Sequence, residues 1–191
     1  MSKLLAIGAV VLLSACFTPA TTPFMRPVAA GVTPGPLAAD RARLVFIRPS
    51  GYVANLWATV YDEQGRYLGD ALPQACFYAD VEPGSHSLVA WTRPADTYTV
   101  LPAHLAPGKT YFVEVAIHMT AAFEMTSIVP ELSSFANVNR WLDECRLHEV
   151  DQAAGQRALD AVRKGDPQRF VKAFDDATVE PGRAIRLADG H

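Results

Sequence analysis

The chain has 191 residues, half of them hydrophobic and 19% charged, with a formal net charge of −3 and no basic run. That length suits one domain with a substantial core, and the mild acidity leaves no electrostatic footprint for a nucleic-acid partner.

The first predicted element is a targeting segment. Lys3 supplies a positive start, residues 4–13 an apolar run and Ser14-Ala15 a small-residue cleavage site, the three parts of a secretory signal. The run falls well short of the roughly 20 residues a membrane-spanning helix needs. Leu13-Ser14-Ala15-Cys16 resembles a bacterial lipobox. The resemblance implies that Cys16 carries a thioether-linked lipid, with palmitate-type acylation of its amine after cleavage. The competing reading places Cys16 inside a buried apolar helix, and the flanks and length of the segment count against it. Phe17 follows the cysteine where an Asp would signal retention. By the same resemblance, the protein is expected on the outer membrane, facing the periplasm. More than one acyl chain is needed for stable anchoring.

Residues 16–40 read as the lipidated cysteine followed by a disordered, proline-rich tether. Pro19, Pro23, Pro27, Pro34 and Pro36, with Gly31 and Gly35, leave no room for a helix or a paired strand. An extended chain of that length would reach about 70 Å.

Residues 41–150 form the predicted β-domain. Residues 44–47 are continuously apolar and predict a central strand, while Leu56, Ala58 and Val60 alternate with Trp57, Thr59 and Tyr61. Asp62-Glu63-Gln64-Gly65 reads as a hairpin turn into Tyr67 and Leu68. Strands over 77–81 and 87–92 flank Glu82-Pro83-Gly84-Ser85, which matches a type II turn. Ala106-Pro107-Gly108-Lys109 repeats it ahead of the longest alternating stretch, where Tyr111, Val113, Val115, Ile117 and Met119 share the core face. These Pro-Gly turns read as recurring hairpin grammar and not as a solenoid repeat. Residues 137–150 fit either a helix or a loop and strand, with a final strand over 144–150 favoured. Residues 151–191 form a helical extension: Asp151 caps a helix to Lys164, a second starts at Asp166-Pro167, and both are expected to cover an edge or end of the sheets. Beyond them Val179-Glu180-Pro181-Gly182 precedes a further edge strand or a fraying end.

About seven or eight such strands predict a mainly β fold, an antiparallel two-layer β-sandwich with short C-terminal helices. Four segments carry a resemblance: Arg48-Pro49-Ser50, Val60-Tyr61-Asp62, residues 78–86 and residues 105–112. Together they resemble a bacterial lipoprotein domain family of unknown function, in which a lipobox precedes a compact transthyretin-like or immunoglobulin-like domain. The resemblance spans residues 41–120 and implies no catalytic residues.

Cys76 and Cys145 remain after Cys16, and an even remainder in an oxidising compartment predicts a disulfide, against the alternative of two buried thiols. No nucleophile elbow, phosphate-binding glycine loop or zinc-helix motif occurs. Ser85 and His86 read as hairpin residues. Glu114 and His118 are about 13 Å apart at strand rise, too far to share a metal without other ligands. The expectation is therefore a binding or structural module with no catalytic residue, cofactor or metal, and a hydrolase or metal-dependent enzyme is the alternative. Arg48, Tyr52 and Trp57 are the candidate binding-surface residues, with an envelope protein or a cell-wall glycan as partner beside the membrane itself.

Overall fold

The computed structural model describes residues 24–49, 56–92, 97–122, 125–134, 145–167 and 184–191, with the backbone alone for 118–122 and 125–134. Two sheets pack face to face. The larger has six strands in the order β1 (Met25–Pro27), β10 (Arg146–Val150), β5 (Ala75–Val81), β2 (Ala42–Arg48), β8 (Thr110–Ala122) and β9 (Met125–Ser134). The smaller runs β4 (Tyr67–Ala71), β3 (Ala58–Tyr61), β6 (Gly84–Thr92) and β7 (Thr97–Leu105). One helix, α1 (Gln152–Gly165), and a 3-10 turn at Leu187–Asp189 complete the described elements.

The expected sandwich is present, but the larger sheet is mixed and not purely antiparallel. β2 runs parallel to β8, and β10 parallel to β5. The reason lies in the connections. The turn at Pro83 joins β5 to β6 and the turn at Pro107 joins β7 to β8, so each carries the chain from one sheet to the other. Both were expected as hairpins. A Pro-Gly turn fixes a chain reversal, and Gly108 takes the positive φ of 68° that a type II turn requires. It does not fix whether the strands on either side exchange hydrogen bonds. The in-sheet hairpins are those joining β3 to β4, β6 to β7 and β8 to β9.

Alternation along β2 explains its central place. Leu44 and Phe46 face the sandwich core, where Phe46 stacks on Phe77, and Val45 and Ile47 face outward into a second apolar layer. Burying each such side chain stabilises the fold by about 1.5–3 kcal/mol. Tyr111, Val113, Val115 and Ile117 of β8 are buried on the core face as expected. Met119 of that pattern lies outside the described side chains.

On the smaller sheet both faces are buried. Ala58 and Val60 meet the core, while Tyr61, Tyr67, Val89, Trp91 and Leu159 of α1 form a separate cluster on the outer face. The helix thus lies on a sheet face near its β4 edge. Asp151 caps it, accepting from Ala154 N–H at 3.0 Å. The second C-terminal helix and the third Pro-Gly segment lie outside the described residues. Ile185, beyond them, adds one parallel bridge to Ala103 on β7.

Part of the expected tether is docked. Met25–Pro27 pairs with β10, Phe24 packs edge-on against Tyr67, and Asp151 N–H reaches Phe24 O at 2.7 Å. Proline permits this because Pro27 sits at the end of a short edge strand, where its missing N–H costs no ladder bond.

Candidate ligand cavity

Register across β5, β2 and β8 places three rows of side chains on the outer face of the larger sheet. Tyr78, Val45 and Phe112 stand side by side; one row away are Asp80, Arg43 and Thr110, and on the other side Cys76, Ile47 and Glu114. The middle row floors a cavity of about 840 Å³ whose opposite wall is residues 28–34. Leu147, Arg146 and the cystine complete the lining. That volume lies in the range of small-molecule sites, about 300–1,000 Å³.

The strap over the cavity is held at both ends. Val28 N–H donates to Leu147 O at 2.9 Å. At the far end, Arg43 donates from Nη1 to Gly35 O at 2.7 Å. The same guanidinium grips both carboxylate oxygens of Asp80, at 2.7 and 2.8 Å, and lies 4.9 Å from the centre of the Tyr78 ring. Hydrogen bonding to Asp80 raises the Arg43 pKa against the opposing effect of burial, so its charge is fixed and internally matched. Cys76 and Cys145 are joined in a disulfide, with Cα atoms 5.8 Å apart. This bridge ties β10, and through it the first attachment of the strap, to the middle of the sheet. At the other border of the floor, Thr110 exchanges backbone hydrogen bonds with His191, whose ring lies 5.8 Å from Phe112.

Of the binding-surface residues expected from sequence, Arg48 and Trp57 fall within the described residues. Arg48 is 1% exposed, pointing inward to donate to Leu56 O at 2.5 Å and Ala71 O at 3.1 Å. Burial lowers its pKa to about 10, which leaves it charged at neutral pH. It holds the β2 end to the start of β3 and the end of β4 and is not displayed to a partner. Trp57 is half-buried against the core, its indole N–H without a hydrogen-bond acceptor among the described residues. Tyr52 and Cys16 lie outside the described residues.

Among the titratable groups, Ser85 Oγ lies 3.0 Å from His104 Nδ1 across β6 and β7, on the exposed side of the pair. His86 meets Glu63 at 3.3 Å and the Glu82 carbonyl at 2.8 Å. Burial pushes the Glu63 carboxyl up, but Ser87 N–H at 2.9 Å and His86 outweigh it and the net pKa is lowered. No group of three or more potential metal-ligating side chains occurs among the described residues. No helix among them is long and apolar enough to cross a membrane.

No protein-family model matches the chain, and no curated protein is significantly similar to it.

The cavity was missed at sequence level because its two walls are far apart in the chain. One signal was legible: Val45 and Ile47 make β2 apolar on both faces, so its outer face had to be covered. Nothing local identified residues 28–34 as the cover.

Proposed function

We propose that the protein is a lipid-anchored cell-envelope lipoprotein whose β-sandwich serves as a non-catalytic binding module, with the strapped cavity as its site. The observation that carries the binding reading is the cavity itself, an apolar floor under a chain segment latched by Arg43. The anchor reading rests on the signal segment and Leu13-Ser14-Ala15-Cys16.

Docking of residues 24–35 shortens the reach. The chain from Cys16 to Phe24 extends at most roughly 30 Å. The module would therefore work close to the bilayer surface. Fractionation tests the anchor: the wild type sediments with membranes, resists high salt and is released by detergent. Cys16→Ser should abolish acyl labelling and detergent-dependent release, and continued membrane retention with full detergent dependence would remove the anchor reading.

A further inference from the structure

We infer that β10, β1 and the start of the strap form a flap beside the cavity, fastened by the Cys76–Cys145 disulfide and released when a dithiol reduces it. The inference rests on the binding-module reading for the use of the opening, and not on the anchor. β10 has a short hold on the sheet. Its parallel ladder with β5 consists of two register pairs, Arg146 with Ala75 and Leu147 with Cys76, and ends there. Beyond it the two strands diverge around a second cavity of about 450 Å³, lined by Tyr78, Asp80 and Val81 of β5 and by His148, Glu149 and Val150 of β10. Tyr78 and Asp80 belong to the outer face of the sheet and Val81 to the core face, so this cavity is a gap between strands and not a hollow on one face. Hydrogen bonding agrees. Arg43 N–H donates to Lys109 O on the β8 side, so its antiparallel partner Asp80 turns its backbone groups toward β10. There Asp80 O accepts from the Arg41 side chain at 3.1 Å.

The two ends of the flap are held differently. At the α1 end, Asp151 N–H donates to Phe24 O, Phe24 packs on Tyr67, and Asp151 caps the helix, which makes this end the hinge. At the other end stand the cystine and, close by in the chain, Leu147 O, which holds Val28 at the start of the strap. One covalent bond thus secures both the short ladder and the near attachment of the strap. That bond is open to exchange: the cystine lines the larger cavity, and Cys145 is half-buried where Cys76 is 4% exposed. A thiolate of the reductant attacks Cys145 Sγ, the bond to Cys76 Sγ breaks, and Cys76 leaves as a thiolate that takes up a proton. The second thiol of the reductant gives up its proton, attacks the mixed disulfide and frees Cys145, which is protonated in turn. Two electrons reach the protein, and the reductant ends as its own disulfide.

The test is reduction by dithiothreitol of the purified, folded full chain carrying Cys16→Ser, in which Cys76 and Cys145 are the only cysteines. Thiol titration should find both cysteines free while far-ultraviolet circular dichroism stays native. Hydrogen exchange at Arg146 N–H, which donates to Gln74 O across the ladder, should quicken at least about tenfold, with Phe46 and Val113 in the core unchanged. Cleavage by subtilisin within residues 28–34 should quicken by a similar factor, and oxidised dithiothreitol should restore both protections. Four results overturn the inference: a disulfide that resists dithiothreitol until the dichroism is lost, protection of Arg146 and the strap that survives reduction, equal quickening at Phe46 and Val113, or protection that reoxidation fails to restore. No ligand or membrane enters these measurements, so failure here is distinct from failure of the binding or the anchor reading.

Discussion

Arg48 shows how a single residue changes meaning when its surroundings are known. In sequence it follows a strand and precedes Pro49, a position that suggests a displayed cation. In the fold its guanidinium satisfies carbonyls of Leu56 and Ala71. Arg48→Ala should destabilise the protein by roughly 3 kcal/mol, because it leaves two buried acceptors unpaired and a void. Chemical denaturation checks this, and an unchanged midpoint would mean that water replaces the guanidinium at no cost. Gly155 is a second case. A Cβ there would run into the ring of Tyr67, whose hydroxyl is held by Asp70 at 2.7 Å. Gly155→Ala gains about 1 kcal/mol of helix propensity and loses more to overpacking, so a net loss of about 1–2 kcal/mol is expected in thermal unfolding. Glu63 supplies the pH dependence. Its folded pKa is lowered from the ordinary 4.5, so its contribution is complete above that value and disappears as pH falls through the folded pKa. Glu63→Gln should flatten the acid limb of stability below about pH 4.5 and leave the neutral plateau nearly level.

At the scale of elements, the edges of the sheets are managed by side chains and by docked chain. β4 is an edge strand whose free backbone groups would invite another chain. Gln156 of α1 donates from Nε2 to Gly65 O at 3.0 Å and accepts from Tyr67 N–H at 2.7 Å, and Gln152 donates to Tyr67 O. Two glutamines thus mimic a neighbouring strand. Gln156→Ala should cost about 1 kcal/mol and raise amide exchange at Tyr67, which hydrogen exchange reads directly. The disulfide closes a sequence separation of 69 residues. Cys76→Ser with Cys145→Ser should lower stability by about 4 kcal/mol in the chain-entropy treatment. Because β10 carries β1, the same variant should open residues 24–35 to limited proteolysis before the core melts. Cleavage only after global unfolding would show that the β1–β10 pairing holds the strap unaided.

At the scale of the molecule, two apolar layers lie outside the central core: one under α1, the other under residues 28–34. The first is closed by the helix, with Leu159 fully inside. The second is covered by a segment of small side chains, and a cavity remains beneath it. On the proposed binding reading, the helix serves stability and the strap would admit a ligand. On the proposed anchor reading, only the short stretch between Cys16 and Phe24 would separate the lipid from the docked segment.

What the sequence by itself determined was local. Period-two alternation over Tyr111, Val113, Val115 and Ile117, turn chemistry at Asp62 and Pro107 and the Asp151 cap all depend on neighbours within a few residues, and the pairing of the two cysteines left after Cys16 needs only a count. The sandwich, the last strand, the first C-terminal helix and the disulfide were legible for that reason. What only the tertiary structure decided was which strands share a sheet, which face α1 covers, where Arg48 points and what residues 28–34 lie against. Each of these depends on contacts between segments tens of residues apart, whose energy comes from burial and from satisfying edge groups. Apolar burial is non-directional. Local patterning therefore says that β2 must be covered on both faces, and only the packed chain says by what.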